Sequence, residues 1–329
     1  MKTRPLSKAL VTVLKLIGKV VAKICPSAMA LPPCDLDNDE ANDLVRGWLE
    51  HPDGQGHMAT KLGTYELKAF LCFYSHAHGL RGTDVANMLR YRYPLLRSMR
   101  HSLRRLTNNA GFFPASEEAG LRYAELVAAD FPLADLLVSY QKEEWYPLSL
   151  GLLAGAKRCP PWGYLDPYRY RRPWSAALAG KRVLVVHPFA DTIRRQYDRR
   201  AELFPGTDVL PGFASLRCIR AVQSIAGNAV PYRTWFDALD AMKREMDAED
   251  YDVALIGCGA YGFHLAAHAK RHGKVGLHMA SYVQLLFGIR GARWDADPEY
   301  SRFYNDAWVR PSADERPAGA ETIEGGCYW

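Results

Sequence analysis

Residues 250–274 read DYDVALIGCGAYGFHLAAHAKRHGK, and this stretch decides the fold class. A four-residue apolar run, Val253 to Ile256, leads into Gly257, Gly259 and Gly262 at G-x-G-x-x-G spacing. Small and apolar residues then recur at helical spacing. A strand, a glycine turn and a helix in that order form the context in which backbone amides approach a phosphate. Three glycines alone do not name the ligand, since any phosphate-bearing molecule can use the same helix N-terminus.

Working outward, the pattern on either side alternates. Upstream, KRVLVVHPF (181–189) is a buried-strand run and DTIRRQYDRRAELF (191–204) a charged helix. LRCIRAVQ (216–223) reads as a strand and TWFDALDAMKREMDAED (234–250) as a helix. Downstream, VGLHM (275–279) is another strand. Alternating strands and helices predict a mostly parallel sheet with helices on both faces, whose ligand crevice lies beyond the carboxyl ends of the strands.

The first half carries a second turn of interest. GHMATKLGTYELKAFLCFYSHAHG (56–79) reads as a short strand, a tight turn at Gly63, and a helix with Leu67, Phe70, Leu71 and Tyr74 on one face. Glu66 sits at the mouth of that helix, where the helix dipole alone favours a carboxylate. Pro32, Pro33 and the acidic stretch Asp35 to Asp43 lead into a first helix ending near Glu50. Further helices are expected over Leu95 to Leu106 and Glu117 to Ala129, and a strand over Leu133 to Tyr140. CPPWGYLDPYRYRRPW (159–174) marks an internal boundary. The chain divides into a leader (1–30), an N-terminal α/β portion (31–156), a Pro/aromatic connection (157–180), a Rossmann-like portion (181–294) and a polar tail (295–329).

The 329 residues are 48% hydrophobic and 24% charged, a composition that supports a substantial core and excludes general disorder. Seven cysteines, with no C-x-x-C pair, suit reduced thiols in the cytosol. The net charge of +6 is already present in Lys2, Arg4, Lys8, Lys15, Lys19 and Lys23, before the first acid at Asp35. The rest of the chain balances, which argues against nucleic acid as partner. On a helical wheel Lys8, Lys15, Lys19 and Lys23 oppose Leu6, Leu10, Val13, Ile17, Val20, Val21 and Ile24. This is the pattern of an amphipathic helix lying on an anionic membrane surface, with a protein-docking helix and a signal cleaved near Ala28-Met29-Ala30 as alternatives. The lysines exclude a transmembrane span.

A nicotinamide enzyme needs an acid at the end of the strand after the glycines, and here that strand ends at His278. No NAD is therefore expected, and the glycines serve either a phosphate or nucleotide-sugar cradle or a tight turn. The cradle would draw on Gly63, Thr64, Gly257, Gly259, Tyr261, Gly262 and His278. Arg90, Arg92, Arg97, Arg100, Arg104 and Arg105 read as a solvated helix face, and Glu143-Glu144 as surface acids.

From about His57 to Trp329 the chain resembles bacterial polysaccharide-cluster proteins similar to the GT-D-fold glycosyltransferases. The resemblance is carried by KLGTYEL, NNAGFFP, GKRVLVVHPFADTIRRQY, VQSIAG, WFDAL, the quoted glycine stretch, LLFGIRGARW and the terminal EGGCYW. It implies an enzyme moving a sugar from a nucleotide-sugar donor to a glycolipid or polysaccharide acceptor, which the leader helix would hold at the membrane surface. Glu66 matches the glutamate of that family's Asp-x-Glu turn, with Thr64 in place of the aspartate and Lys61 in place of an arginine. Glu66, Lys61 and His187 are thus the expected catalytic residues. The resemblance implies a divalent metal (Mn or Mg) on Glu66, but one carboxylate and a hydroxyl make a poorer hard-cation site than two carboxylates. An NAD(P)-dependent oxidoreductase and a catalytically silent assembly protein are the competing readings.

Overall fold

The structure, a computed structural model, describes residues 31–91 and 98–329 together with Thr12, Val13, Leu16, Ile17 and Val20. Most of the leader therefore lies outside the described residues. Its five described positions are helical, with Val13, Leu16, Ile17 and Val20 exposed. Among the described residues no helix is long and apolar enough to cross a membrane.

Seven strands form one all-parallel sheet: β1 (His57–Thr60), β2 (Leu136–Val138), β3 (Lys157–Cys159), β4 (Arg182–His187), β5 (Ser215–Arg220), β6 (Val253–Ile256) and β7 (Val275–His278). Their order is β3-β2-β1-β7-β6-β4-β5. The chain runs outward from β1 to β3 at one edge and restarts at β4. It then visits β5 at the other edge and returns through β6 to β7, which pairs with β1 in the register His57↔Val275. The winding direction reverses between the neighbours β6 and β4, and the crevice expected at such a reversal lies at the carboxyl ends of these strands. The expected α/β architecture is thus present, as one sheet spanning both halves of the chain.

Helices cover both faces: α1 (Asn38–Glu50), α2 (Thr64–His78), α3 (Gly82–Tyr91), α4 (Met99–Ala110), α5 (Glu117–Asp130), α6 (Trp145–Ser149), α7 (Ala190–Asp198), α8 (Arg200–Leu203), α9 (Trp235–Asp247), α10 (Gly262–Arg271) and α11 (Tyr282–Leu286), followed by shorter turns. Alternate strand residues feed separate cores, as the two-residue period of a strand dictates. Leu184 and Val186 of β4 pack with α2, α5, α9 and α10, while Val183 and Val185 pack with α1 and α7. Local signals set the ends: Asp37 and Glu40 make a capping box at α1, as do Thr234 and Asp237 at α9.

Several boundaries differ from expectation. The helix expected over Leu95 to Leu106 runs from Met99 to Ala110, behind an N-cap at Ser98. The strand expected over Leu133 to Tyr140 shrinks to Leu136–Val138, because Phe131–Leu133 with Pro132 at its centre forms a 3-10 turn. The Pro/aromatic connection supplies β3 and the fully buried Trp174. The polar tail is part of the body, burying Tyr300, Trp308 and Ile323. Its aromatic residues outweigh its polar composition. Glu143 and Glu144 are not surface acids; both are buried. Glu144 accepts hydrogen bonds from Ser139 Oγ and from the Tyr140 and Gln141 amides, so it pins the loop after β2, and burial pushes its carboxyl up to about 7. Glu143 stands 3.6 Å from the Lys68 ammonium. The described arginines of the basic run, Arg90, Arg100, Arg104 and Arg105, are exposed as expected, while Arg92 and Arg97 lie outside the described residues.

Candidate functional site

A cavity of about 300 Å³ opens at the carboxyl ends of the strands. Its wall is drawn from the turns after β1, β2, β4, β5, β6 and β7, and the C-terminal tail closes one side. Of the site residues expected from sequence, Lys61, Gly63, Thr64, Glu66, His187, Gly257, Gly259, Tyr261 and His278 all line it. Gly262 stands just behind the wall.

The turn after β1 is built to place a charge pair. The Leu62 carbonyl accepts from Tyr140 Oη at 2.6 Å and from Gln141 Nε2 at 2.9 Å, which fixes the loop carrying Lys61 and Gly63. A side chain at Gly63 would put its Cβ 2.1 Å from Glu66 Oε2, so glycine there lets the carboxylate fold back over the first turn of α2. Glu66 lines the cavity. Burial raises its carboxyl above the usual range, against the pull of first-turn amides and of the Lys61 ammonium. Burial likewise lowers Lys61, with Glu66 resisting that shift. Lys61 Nζ also lies 5.2 Å from the centre of the Tyr140 ring. A carboxyl raised and an ammonium lowered are groups brought closer to exchanging protons near neutrality.

Both cavity histidines are neutral. Burial holds His187 and His278 at about 3. His187 Nδ1 accepts the Phe189 amide hydrogen at 3.0 Å, which leaves the ring proton on Nε2. His187 is thus suited to donate a hydrogen bond, not to serve as an acid. His278 Nδ1 meets Thr60 Oγ1 at 3.2 Å, tying the end of β7 to the end of β1. His278 Nε2 and Trp329 Nε1, both on residues that line the cavity, are buried and have no partner among the described residues. Buried polar atoms of native proteins are nearly all satisfied, and here His278 Nε2 is packed against Gly262 behind the wall.

The three fingerprint glycines have different reasons to be glycine. At Gly257 a Cβ would fall 2.2 Å from the Ala280 carbonyl oxygen and 2.7 Å from His187 Cδ2. At Gly262 it would fall 2.4 Å from His278 Nε2, the close approach that seats that ring. Gly259 has room, its nearest neighbour at 3.4 Å, but adopts φ +58°, which disfavours other residues. Tight packing therefore explains Gly257 and Gly262, while in the Gly259–Tyr261 turn at the head of α10 the Tyr261 amide donates to the Cys258 carbonyl at 3.4 Å and the Gly262 amide to the Gly259 carbonyl.

Sequence reasoning missed the opposite wall. Arg293 pairs with Glu324, lies 3.4 Å from Tyr328 Oη, and stacks on the Tyr328 ring at 4.8 Å. The Arg293 amide donates to the Cys327 carbonyl at 2.9 Å, so the tail is tied down beside the cavity. Gln223, Ser224 and Asn109 complete a polar rim. The signal was present: NNAGFFP, VQSIAG, LLFGIRGARW and EGGCYW are separate in sequence, and each contributes to this one wall.

Backbone strain concentrates here too. Among the described residues three non-glycines have positive φ, namely Ala226 at 54°, Ala280 at 51° and Glu324 at 48°. Ala280 and Glu324 line the cavity, and Ala226 adjoins the lining residue Ile225. Each costs on the order of 1 kcal/mol, a cost typically retained at binding sites.

The six described cysteines form no disulfide, and burial pushes the Cys258 thiol beside the glycine turn above its ordinary value, so that position offers no thiolate nucleophile. Comparison with known proteins returns no match to a family model, to a curated protein or to a solved structure.

Proposed function

We propose that the chain is a glycosyltransferase that moves a sugar from a nucleotide-sugar donor to a lipid-linked or polysaccharide acceptor. The observation that carries this reading is the cavity's composition. Two cations, Lys61 and Arg293, stand with the head of α10 in one cavity beside a carboxylate of raised pKa, Glu66. The cations and the turn amides suit the diphosphate of the donor. Tyr140, Tyr328 and Trp329 offer rings for a base or sugar to stack on.

In the transfer, the acceptor oxygen attacks the anomeric carbon, the bond from that carbon to the diphosphate oxygen breaks, and the acceptor proton passes to Glu66. The charge that develops on the departing diphosphate falls to Lys61, Arg293 and the Gly259 and Ala260 amides of the glycine turn. The donor set at Glu66 does not fit a hard divalent ion. The charges that act on it are the Lys61 ammonium and a second cavity carboxylate, Glu324, which is itself bound to Arg293. Fixed cations therefore take the role a metal would have, and no step is routed through one. The nicotinamide reading remains disfavoured because neutral His278 stands where the ribose-binding acid is required.

We further propose that the enzyme works at the inner face of a membrane, the lysines of residues 1–25 meeting anionic headgroups while Val13, Leu16, Ile17 and Val20, exposed at helical spacing, enter the interface.

Glu66→Gln tests the catalytic role. It keeps the side-chain shape and removes the base, so transfer should fall at least a hundredfold, within the range of general-base catalysis, with the melting temperature nearly unchanged. Retained turnover would refute the role of Glu66.

A further inference from the structure

About 15 Å of α10 separates the cavity from the opposite end of that helix. There, Asp247, the last residue of α9, faces His268 and His272, which lie one turn apart. Among the described residues this is the one group of histidine, cysteine and acidic side chains whose ligand atoms come together, all within 4.8 Å of one another. Asp247 Oδ1 lies 2.7 Å from His268 Nε2 and 3.7 Å from His272 Nε2. Ligand atoms around a tetrahedral zinc ion stand about 3.4 Å apart, given metal–ligand bonds near 2.1 Å, and the two measured separations bracket that value.

The second observation is the tautomer of His272. Its Nδ1 lies 2.9 Å from the His268 carbonyl oxygen, which can only accept, so Nδ1 carries the proton. The lone pair is then on Nε2, the atom facing Asp247. A metal-binding imidazole held by a backbone carbonyl through its other nitrogen is the usual supporting arrangement.

We propose that Asp247, His268 and His272 bind one divalent transition-metal ion of the zinc class, with water completing the coordination. Two imidazoles and one carboxylate suit zinc and its neighbours, whereas magnesium and calcium prefer all-oxygen sites. On His268 the metal takes the Nε2 lone pair, and the single proton of the neutral ring passes from Nε2 to Nδ1. The side chains of Asp247 and His272 are 45% and 51% exposed, which gives the ion an open entry. The ion would clip the end of α9 to the end of α10, remote from the cavity and independent of the transfer reaction.

Isothermal titration of the full chain with zinc sulfate at pH 7.5, after treatment with and removal of EDTA, tests this. One ion should bind per chain, and His272→Gln and Asp247→Asn should each weaken binding at least tenfold. Both side chains are half exposed, so the metal-free variants should melt with the metal-free parent. Absence of saturable binding, or binding of equal strength in these variants, would overturn the proposal.

Discussion

Acidification should weaken the fold through the two cavity histidines, and the size of the effect follows from their burial. An unfolded histidine titrates near 6.5. His187 and His278 are held at about 3 in the native protein, each with 3% of its surface accessible. Between these limits the unfolded chain binds protons that the native state does not, so stability rises with pH across the window and falls on acidification. From pH 7.0 to 5.5 each ring should cost about 1.3 kcal/mol, together about 2.6 kcal/mol. His187→Asn isolates one of them. The asparagine oxygen can accept the Phe189 amide two residues on, as His187 Nδ1 does, without a titrating group. Urea unfolding of parent and variant at both pH values should show the variant losing about 1.3 kcal/mol less than the parent. Equal losses would refute the neutral, buried state of His187, and with it the assignment of this ring as a hydrogen-bond donor.

The glycine turn gives a ranking. Gly257→Ala drives a Cβ to 2.2 Å from the Ala280 carbonyl and should cost about 3 kcal/mol, whereas Gly259→Ala meets only φ strain and should cost about 1 kcal/mol. The reverse order in urea midpoints would contradict the packing account. On the far wall, Arg293→Gln should weaken nucleotide-sugar binding at least tenfold, while Glu324→Gln, which frees Arg293, should strengthen it; calorimetry reporting the opposite signs would remove Arg293 from the diphosphate site.

The alternation around residues 250–274 was enough to foresee a parallel sheet with its crevice at the carboxyl ends, because strand and helix periods are local properties. That Glu66, Lys61, His187 and the glycines lie at the cavity was legible for the same reason: each sits at a strand's end, in the turn after it or in the first turn of the next helix. Glu324, Tyr328 and Trp329, and with them the Arg293 they surround, were not, since the tail's folding back depends on long-range contacts such as Gln284 Nε2 to the Tyr328 carbonyl at 3.2 Å. Glu144 was misread because its neighbours in sequence are polar, while the amides that bury it come from the strand-end turn. The order of the sheet, with β7 joining the halves, also lay beyond local pattern, as pairing of β1 with β7 spans more than 200 residues.

The central claim is that the cavity takes a nucleotide-sugar, and direct binding tests it. UDP-sugars, GDP-sugars, CMP-sialic acid and NADH would be titrated into the full chain and into Lys61→Met, which keeps an extended side chain without the charge. The account predicts saturable binding of at least one nucleotide-sugar, weakened tenfold or more in Lys61→Met, and no saturable binding of NADH. Binding of NADH alone, or of a nucleotide-sugar with equal affinity to both proteins, would contradict it.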